Sequence, residues 1–189
     1  MTEKEYSVEN KKILVYDNVF SQQEINEIYN LINQRPYRNH NADDSLHHNK
    51  HIDVKWSSEI GEKEALLQTL LTKYSEAMPM FFDGKYAINR SYVNYATHGT
   101  VDLIHEDCAH YIKDHFTILQ FGNFCWSSNW HGETVFYDSN LSEILFSCSL
   151  KPGRIIVFDS SIPHSARQPS KIAEYPRYTI AMKIYKVGN

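Results

Sequence analysis

The second half of the chain, from about residue 85 onward, is a series of short strand-like segments separated by turns. In the first segment, Tyr86, Ile88, Arg90 and Tyr92 occupy every second position, a period typical of a strand whose two faces meet different surroundings. Gly, Asn, Asp and Pro occupy the connections, as turns require. Such a series predicts a mainly β fold, an antiparallel sandwich or jelly roll. The further predicted strands span 101–107, 116–124, 133–137, 144–149, 154–158, 161–166 and 177–186.

The first 84 residues are predicted to contribute two helices that pack against one face of this sheet. Ser21 followed three residues later by Glu24 is a capping box, which satisfies free backbone N–H groups at a helix start. Apolar residues at helical spacing, from Leu66 to Tyr74, mark the buried face of the second helix. The predicted segments are a loose tail at 1–11, a strand at 12–16, and helices at about 21–34 and 58–77.

A long polar stretch, residues 36–57, separates the two predicted helices and lacks any periodicity. Loops of this length in a compact domain are usually functional or disordered, so we expect a candidate substrate lid. Four histidines lie in it, and a solvated loop is the simpler alternative to a metal site there. The predicted organisation is one domain over 1–189, with the N-terminal strand, helices and lid loop in 1–84 and the β core in 85–189. The four histidines are His40, His47, His48 and His51.

Composition narrows the classes of function. The 189 residues, 42% of them hydrophobic, suffice for one well-filled core. The net charge is −4 and no basic run is present, which weighs against nucleic-acid binding. No apolar run approaches the roughly 20 residues that span a bilayer, and the polar N-terminus lacks a signal core, so a soluble cytoplasmic protein without membrane partners is expected. The three cysteines fit neither a zinc motif nor a disulfide framework.

One short motif, His105-Glu106-Asp107, carries the chemistry. On a strand, His105 and Asp107 project from one face and Glu106 from the other. His164, which follows the strand at 154–158 and a tight turn, is placed to supply a third ligand from a neighbouring strand. Two histidines and one carboxylate on one side of a metal leave open positions, as in non-haem iron(II) oxygenases, whereas zinc more often takes a closed tetrahedral set. The three-residue motif alone also occurs by chance.

Arg177 opens the alternating apolar strand at 177–186. A guanidinium that points inward is costly unless it is paired, and its planar fork matches a carboxylate in two hydrogen bonds. Thr179 lies on the same face and offers a hydroxyl donor. Arg177 is therefore predicted to bind an anionic co-substrate, with a structural ion pair to an Asp or Glu as the alternative.

The order of motifs along the chain resembles the 2-oxoglutarate and iron(II)-dependent oxygenases, and within them the prolyl 4-hydroxylase-like subgroup. The N-terminal strand and capped helix are also similar to the entry of that subgroup. The resemblance covers most of the chain. Its motifs are His-Glu-Asp at 105–107, Gly-Glu-Thr-Val-Phe at 132–136, Pro-Gly-Arg-Ile-Ile-Val-Phe at 152–158, His164, and Arg-Tyr-Thr-Ile at 177–180.

This resemblance implies a double-stranded β-helix (the cupin-like jelly roll) and a role for each matching residue. His105, Asp107 and His164 would bind iron(II), Arg177 would pair with the distal carboxylate of 2-oxoglutarate, and Tyr95 would line the co-substrate pocket, unless it is a plain core aromatic. Ascorbate would serve as reductant. The implied reaction consumes dioxygen and hydroxylates an unactivated C–H bond, with peptidyl proline favoured as substrate over a free amino acid or another small metabolite.

Departures and alternatives remain beside this interpretation. His131-Gly132 stands where relatives often have two glycines, and Phe121 falls near a tyrosine that assists the arginine in some relatives. The connection between His164 and Arg177 is longer, so 168–176 is a candidate loop over the site mouth. His131 with Glu133 is a rival ligand pair, and His110, His115, Trp126, Trp130 and Asn94 are candidate site neighbours or ordinary packing. A non-catalytic cupin-like binding module is the rival class, and a nucleic-acid demethylase would need a basic groove.

Overall fold

The structure, a computed structural model, describes residues 1–40, 55–109 and 112–187 and consists of two β-sheets with two helices on one outer face. The larger sheet has eight strands in the order β1-β2-β9-β6-β11-β5-β4-β3, and the smaller has three in the order β10-β7-β8. The helices are α1 (Gln22–Asn33) and α2 (Ala65–Ala77). The strands are β1 (Thr2–Val8), β2 (Lys11–Asp17), β3 (Arg38–His40), β4 (Lys55–Glu59), β5 (Tyr86–Ala96), β6 (His115–Phe121), β7 (Thr134–Tyr137), β8 (Ile144–Cys148), β9 (Ile155–Asp159), β10 (His164–Ala166) and β11 (Arg177–Lys186).

The large sheet is covered on both faces by apolar side chains. On its outer face, residues of α1 and α2 such as Ile28 and Leu70 pack against sheet residues such as Ile180. Its inner face packs against the small sheet through a second cluster that contains Leu119 and Phe136. Two facing sheets with both helices on one outer side confirm the predicted double-stranded β-helix.

The N-terminal residues form a strand, so the predicted loose tail is wrong. β1 pairs with β2 in antiparallel register over its full length, from Thr2↔Asp17 to Val8↔Lys11. Its side chains are exposed and largely polar up to Val8, so the segment lacks the alternating hydrophobic pattern that predicts a strand. Charged side chains on an edge strand are also what prevents pairing with other chains.

The second helix begins later than predicted. Residues Lys55–Glu59, assigned from sequence to the loop and to the start of that helix, form β4 and pair with β5. The helix starts at Ala65, after a turn in which the Gly61 backbone N–H donates to the Glu64 carboxylate (2.7 Å). The first helix has the predicted capping box at Ser21 and Glu24. Among the described residues, no helix is both long and apolar enough to cross a membrane.

Candidate metal centre

His105 and His164 are held side by side by the backbone. The predicted strand at 101–107 is not formed, and only His105 makes a bridge, to the first residue of β10. The His105 N–H donates to the His164 carbonyl (3.0 Å) and the His164 N–H to the His105 carbonyl (2.9 Å). The Asp107 N–H donates to the Ser160 carbonyl at 2.8 Å, which holds the third side chain against the same strand ends. The two imidazole rings lie 4.5 Å apart between centroids.

Backbone carbonyls fix both imidazoles in one tautomer. Nδ1 of His105 lies 2.8 Å from the Leu103 oxygen, and Nδ1 of His164 lies 2.9 Å from the Ile162 oxygen. Because a carbonyl only accepts, each Nδ1 carries a proton, and each Nε2 is the nitrogen that is available to a metal. Each Nε2 atom lies 3.6 Å from an Asp107 carboxylate oxygen. The three ligand atoms lie within 4.8 Å of one another, the convergence that one metal ion requires.

The charge states at this centre also suit a cation. Burial lowers the pKa of His164 to about 4, so its imidazole is neutral near pH 7. Burial alone would raise the pKa of Asp107, but His164, Lys183 and His105 outweigh it and hold this pKa well below its ordinary value. The Thr117 hydroxyl donates to Asp107 Oδ2 (2.6 Å), and the Lys183 ammonium donates to Oδ1. Asp107 is therefore an oriented carboxylate, and the donor set of two imidazole Nε2 atoms and one carboxylate fits an octahedral metal such as iron(II) with open positions.

Arg177 is buried at the start of β11, with 2% of its surface exposed. Its Nε donates to the Gly132 carbonyl (2.8 Å), one Nη donates to Thr134 Oγ1 (3.0 Å), and its guanidinium lies 5.4 Å from the centre of the Phe121 ring. Within 1–40, 55–109 and 112–187, it forms no ion pair with a carboxylate. Burial lowers its pKa to about 10, so it remains charged at neutral pH. The Asp102 and Glu133 carboxylates oppose this lowering from a distance, but neither contacts the guanidinium. A buried cation without a directly bound anion is costly, and a bound carboxylate would relieve that cost.

Thr179 gives a second sign of a ligand at this end of the cavity. Its hydroxyl is buried and has no hydrogen-bond partner among the residues that the structure describes. Arg177 and Thr179 point to the same inner face of β11, and Asn94 lies opposite Thr179 on β5. An unpartnered hydroxyl beside an unpaired guanidinium is the donor arrangement that a carboxylate oxygen would complete.

Tyr95 does not line this cavity, which corrects the expectation drawn from the resemblance. It pairs with Tyr178 across β5 and β11, one residue out of phase with Arg177, so its ring lies on the helix-covered face. There it contacts Tyr37 (5.3 Å between ring centroids) and Tyr178 (5.6 Å). The inner face of β5 instead presents Tyr92 and Asn94.

The remaining candidate residues lie in packing arrangements or outside the described residues. In the part of the chain that the structure describes, the only group of three or more possible ligands that meets the metal-site geometry is the triad above, and it includes neither His131 nor Glu133. Trp126 and Trp130 form an edge-on pair with ring centroids 5.3 Å apart. His47, His48, His51 and His110 lie outside the described residues, as does most of the predicted lid.

The connection from Gln168 to Pro176, which leads into Arg177, contacts neighbouring backbone groups. The Ser170 N–H donates to the Trp130 carbonyl (2.8 Å), and the Asn123 amide donates to the Pro176 carbonyl (2.7 Å). These contacts place the segment against the turn that precedes β7. That this segment forms a loop over the site mouth stays a prediction.

Sequence reasoning missed three residues of the site: Thr117 and Lys183, which contact Asp107, and Thr134, which contacts Arg177. A signal for Lys183 was present, because it lies six residues after Arg177 and strand alternation puts both on one face. Thr117 and Thr134 gave no such signal, because their positions depend on which strands become neighbours.

Comparisons with known proteins agree on the fold. No protein-family model matches the chain, and no curated protein sequence matches it. A prolyl-4-hydroxylase from Pseudomonas putida aligns over 93% of both chains with a TM-score of 0.66 and 13% identity. A Trichoplax adhaerens prolyl hydroxylase in complex with a hypoxia inducible factor oxygen degradation domain peptide aligns over 92% of this chain and 83% of its own (TM-score 0.62, 19% identity). HygX from Streptomyces hygroscopicus, with nickel and 2-oxoglutarate bound, aligns over 93% and 83% (TM-score 0.66, 11% identity). The chain therefore shares the fold of prolyl hydroxylases and other 2-oxoglutarate oxygenases.

Proposed function

We propose that the protein is an iron(II)- and 2-oxoglutarate-dependent dioxygenase that hydroxylates an unactivated C–H bond. The observation that carries the proposal is a pair of complementary groups of side chains that lie between the two sheets, one at each end. At one end, two imidazole Nε2 atoms and the Asp107 carboxylate converge. At the other end, Arg177 is buried with no carboxylate partner among the described residues, and the Thr179 hydroxyl has no hydrogen-bond partner.

Each residue has a defined task in this proposal. His105, Asp107 and His164 would hold the iron on one side and leave the other side open. Arg177 and Thr179 would orient the co-substrate by donating hydrogen bonds to its distal carboxylate. Iron(II), with 2-oxoglutarate as co-substrate and ascorbate to keep the metal reduced, supplies the oxidation of a C–H bond by dioxygen. The apolar cluster between the two sheets limits water around the reacting groups.

The substrate proposed first is peptidyl proline, because two of the structures with this fold are prolyl hydroxylases. A small molecule is the second candidate, because HygX has also been crystallised with hygromycin B bound. A non-catalytic binding module is a less favoured alternative, since it would have no need of both an open metal triad and an anion-binding arginine inside one cavity.

The test is conversion of 2-oxoglutarate to succinate by the purified protein with iron(II), ascorbate and dioxygen. We expect slow turnover without substrate, faster turnover with a substrate, and loss of both in His105→Ala and Asp107→Ala. A panel of proline-containing peptides and free amino acids, followed by mass spectrometry for one added oxygen atom, identifies the substrate class. If the two variants match the wild type in turnover and in iron binding, the proposal is wrong.

A further inference from the structure

Lys183 places its ammonium group in contact with the candidate metal centre. Its ammonium donates to Asp107 Oδ1, and only 20% of its side chain is exposed. It shares the inner face of β11 with Arg177 and Thr179, with Ala181 as a small residue between. The Tyr92 ring, on the neighbouring strand, lies 5.9 Å from the ammonium. Two cations thus border the same cavity wall, one at each end.

The neighbourhood of Lys183 is short of negative charge. Lys183 pairs across β5 and β11 with Arg90, and like charges that face each other across a sheet destabilise it unless anions lie nearby. Arg90 has such an anion, because its Nε lies 3.1 and 3.3 Å from the two Glu59 carboxylate oxygens. Among the described residues, the carboxylate that contacts Lys183 is Asp107, and Asp107 is also the candidate metal ligand.

Metal binding changes this charge balance. A divalent ion would also bind the Asp107 carboxylate and would weaken the interaction of that carboxylate with Lys183. With the metal bound, Lys183 keeps no carboxylate of its own among the described residues, because Asp102, the other carboxylate beside His105, acts on Arg177 and His164 rather than on Lys183. An ammonium without its own anion is costly at a partly buried position.

We propose that Lys183 binds a carboxylate of the substrate next to the C–H bond that is oxidised. This inference rests on the proposed function and narrows its substrate class to molecules with a carboxylate near the reacting carbon. Two sources have that chemistry: the α-carboxylate of a free amino acid, and an acidic side chain beside the target residue in a peptide. The ammonium is released from Asp107 as the metal binds, so the anion subsite forms only in the loaded protein.

The test measures binding rather than turnover. Protein loaded with nickel(II) and saturated with 2-oxoglutarate is titrated calorimetrically with matched pairs that differ only in charge. One arm compares free amino acids such as L-proline and L-lysine with their amides. The other arm compares blocked dipeptides that contain Asp-Pro and Pro-Glu with those that contain Asn-Pro and Pro-Gln. We expect at least one carboxylate to bind about tenfold or more tightly than its neutral partner, as a charge-assisted hydrogen bond provides. The arm in which this occurs identifies the source.

Three variants connect the effect to Lys183. Lys183→Met should abolish the preference for the carboxylate, and Lys183→Arg should retain it. Lys186→Met removes a lysine whose ammonium pairs at 3.9 Å with Asp114, near the end of the same strand, and should bind as wild type does. The inference is overturned if every carboxylate and amide pair binds alike or fails to bind, or if Lys183→Met keeps the preference. It is also overturned if Lys183→Met weakens the binding of 2-oxoglutarate itself, because Lys183 would then belong to the co-substrate. If the wild type binds neither nickel nor 2-oxoglutarate, the proposed function fails instead.

Discussion

Replacing Arg177 with Met should separate stability from ligand binding. In the folded protein without co-substrate, the change removes hydrogen bonds from the charged guanidinium to the Gly132 carbonyl (2.8 Å) and Thr134 Oγ1 (3.0 Å), worth about 1.5–3 kcal/mol each. It also removes the desolvation cost of a buried cation that contacts no carboxylate among the described residues, which amounts to several kcal/mol. The two effects oppose each other, so the free energy of unfolding should change by no more than about 1–2 kcal/mol.

The effect on 2-oxoglutarate binding should be much larger. Two charge-assisted hydrogen bonds to one carboxylate are worth about 3–4 kcal/mol together, which corresponds to a rise in Kd of about 10²–10³-fold. Urea unfolding of nickel-loaded protein measures both quantities. A 2-oxoglutarate concentration of about 100 times the wild-type Kd should stabilise the wild type by roughly 2.7 kcal/mol and leave Arg177→Met almost unchanged.

Arg154 provides a matched control for this experiment. It is also largely buried, but it forms two hydrogen bonds with Asp17, at 2.8 and 3.0 Å. Arg154→Met leaves that buried carboxylate with only the more distant Lys151 ammonium, at 3.7 Å, and should destabilise the protein by about 3 kcal/mol, with 2-oxoglutarate still stabilising what folds. The reasoning is refuted if Arg177→Met is destabilised as much as Arg154→Met, or if it keeps the full stabilisation by 2-oxoglutarate.

Three further predictions concern stability and metal affinity. Hydrogen bonds from Arg154 lower the pKa of Asp17, so the stability that Asp17 contributes is present above the unfolded-state pKa of about 3.9 and is lost as pH falls through the folded-state pKa. The difference in unfolding free energy between wild type and Asp17→Asn should stay constant from about pH 5 to 7 and shrink below about pH 4. A difference that does not depend on pH would contradict this. Gly132→Ala should lower the free energy of unfolding by about 2 kcal/mol, because Gly132 has φ of +87° and an added Cβ would lie 3.1 Å from the Trp126 ring and 3.4 Å from Arg177 Cδ. A variant as stable as wild type in urea would argue against this backbone conformation at Gly132. Thr117→Val removes the 2.6 Å hydrogen bond to Asp107 Oδ2 and should weaken nickel binding by about 10- to 100-fold in calorimetry, whereas unchanged affinity would show that the hydroxyl does not orient the ligand.

How far the sequence predicts this molecule depends on whether a feature is local. The alternation of β11 correctly places Arg177 and Thr179 on one face, because the period of a strand is a property of the backbone. The capping box at Ser21 and Glu24 forms as predicted, because both partners lie within one turn. Edge strands are harder to predict, since the exposed polar residues of β1 resemble those of a loop.

Features that depend on register could not be obtained from the sequence. Tyr95 lies ten residues before His105, yet its face is set by its pairing with Tyr178 rather than by that spacing. The convergence of His105 and Asp107 does not arise from a strand as predicted, since a single backbone bridge between His105 and His164 and the backbone contact of Asp107 with Ser160 bring the two residues together. The contact between Lys183 and Asp107 joins two segments that are far apart in sequence and requires the assembled fold.

The central claim is that His105, Asp107 and His164 bind one metal together with 2-oxoglutarate. An anaerobic titration of the protein with iron(II), in the presence and absence of 2-oxoglutarate, tests it most directly. We predict one iron per chain, tighter iron binding when 2-oxoglutarate is present, and loss of iron binding in Asp107→Ala with the fold retained by circular dichroism. Equal iron binding by wild type and Asp107→Ala, or no effect of 2-oxoglutarate on iron affinity, would contradict the claim.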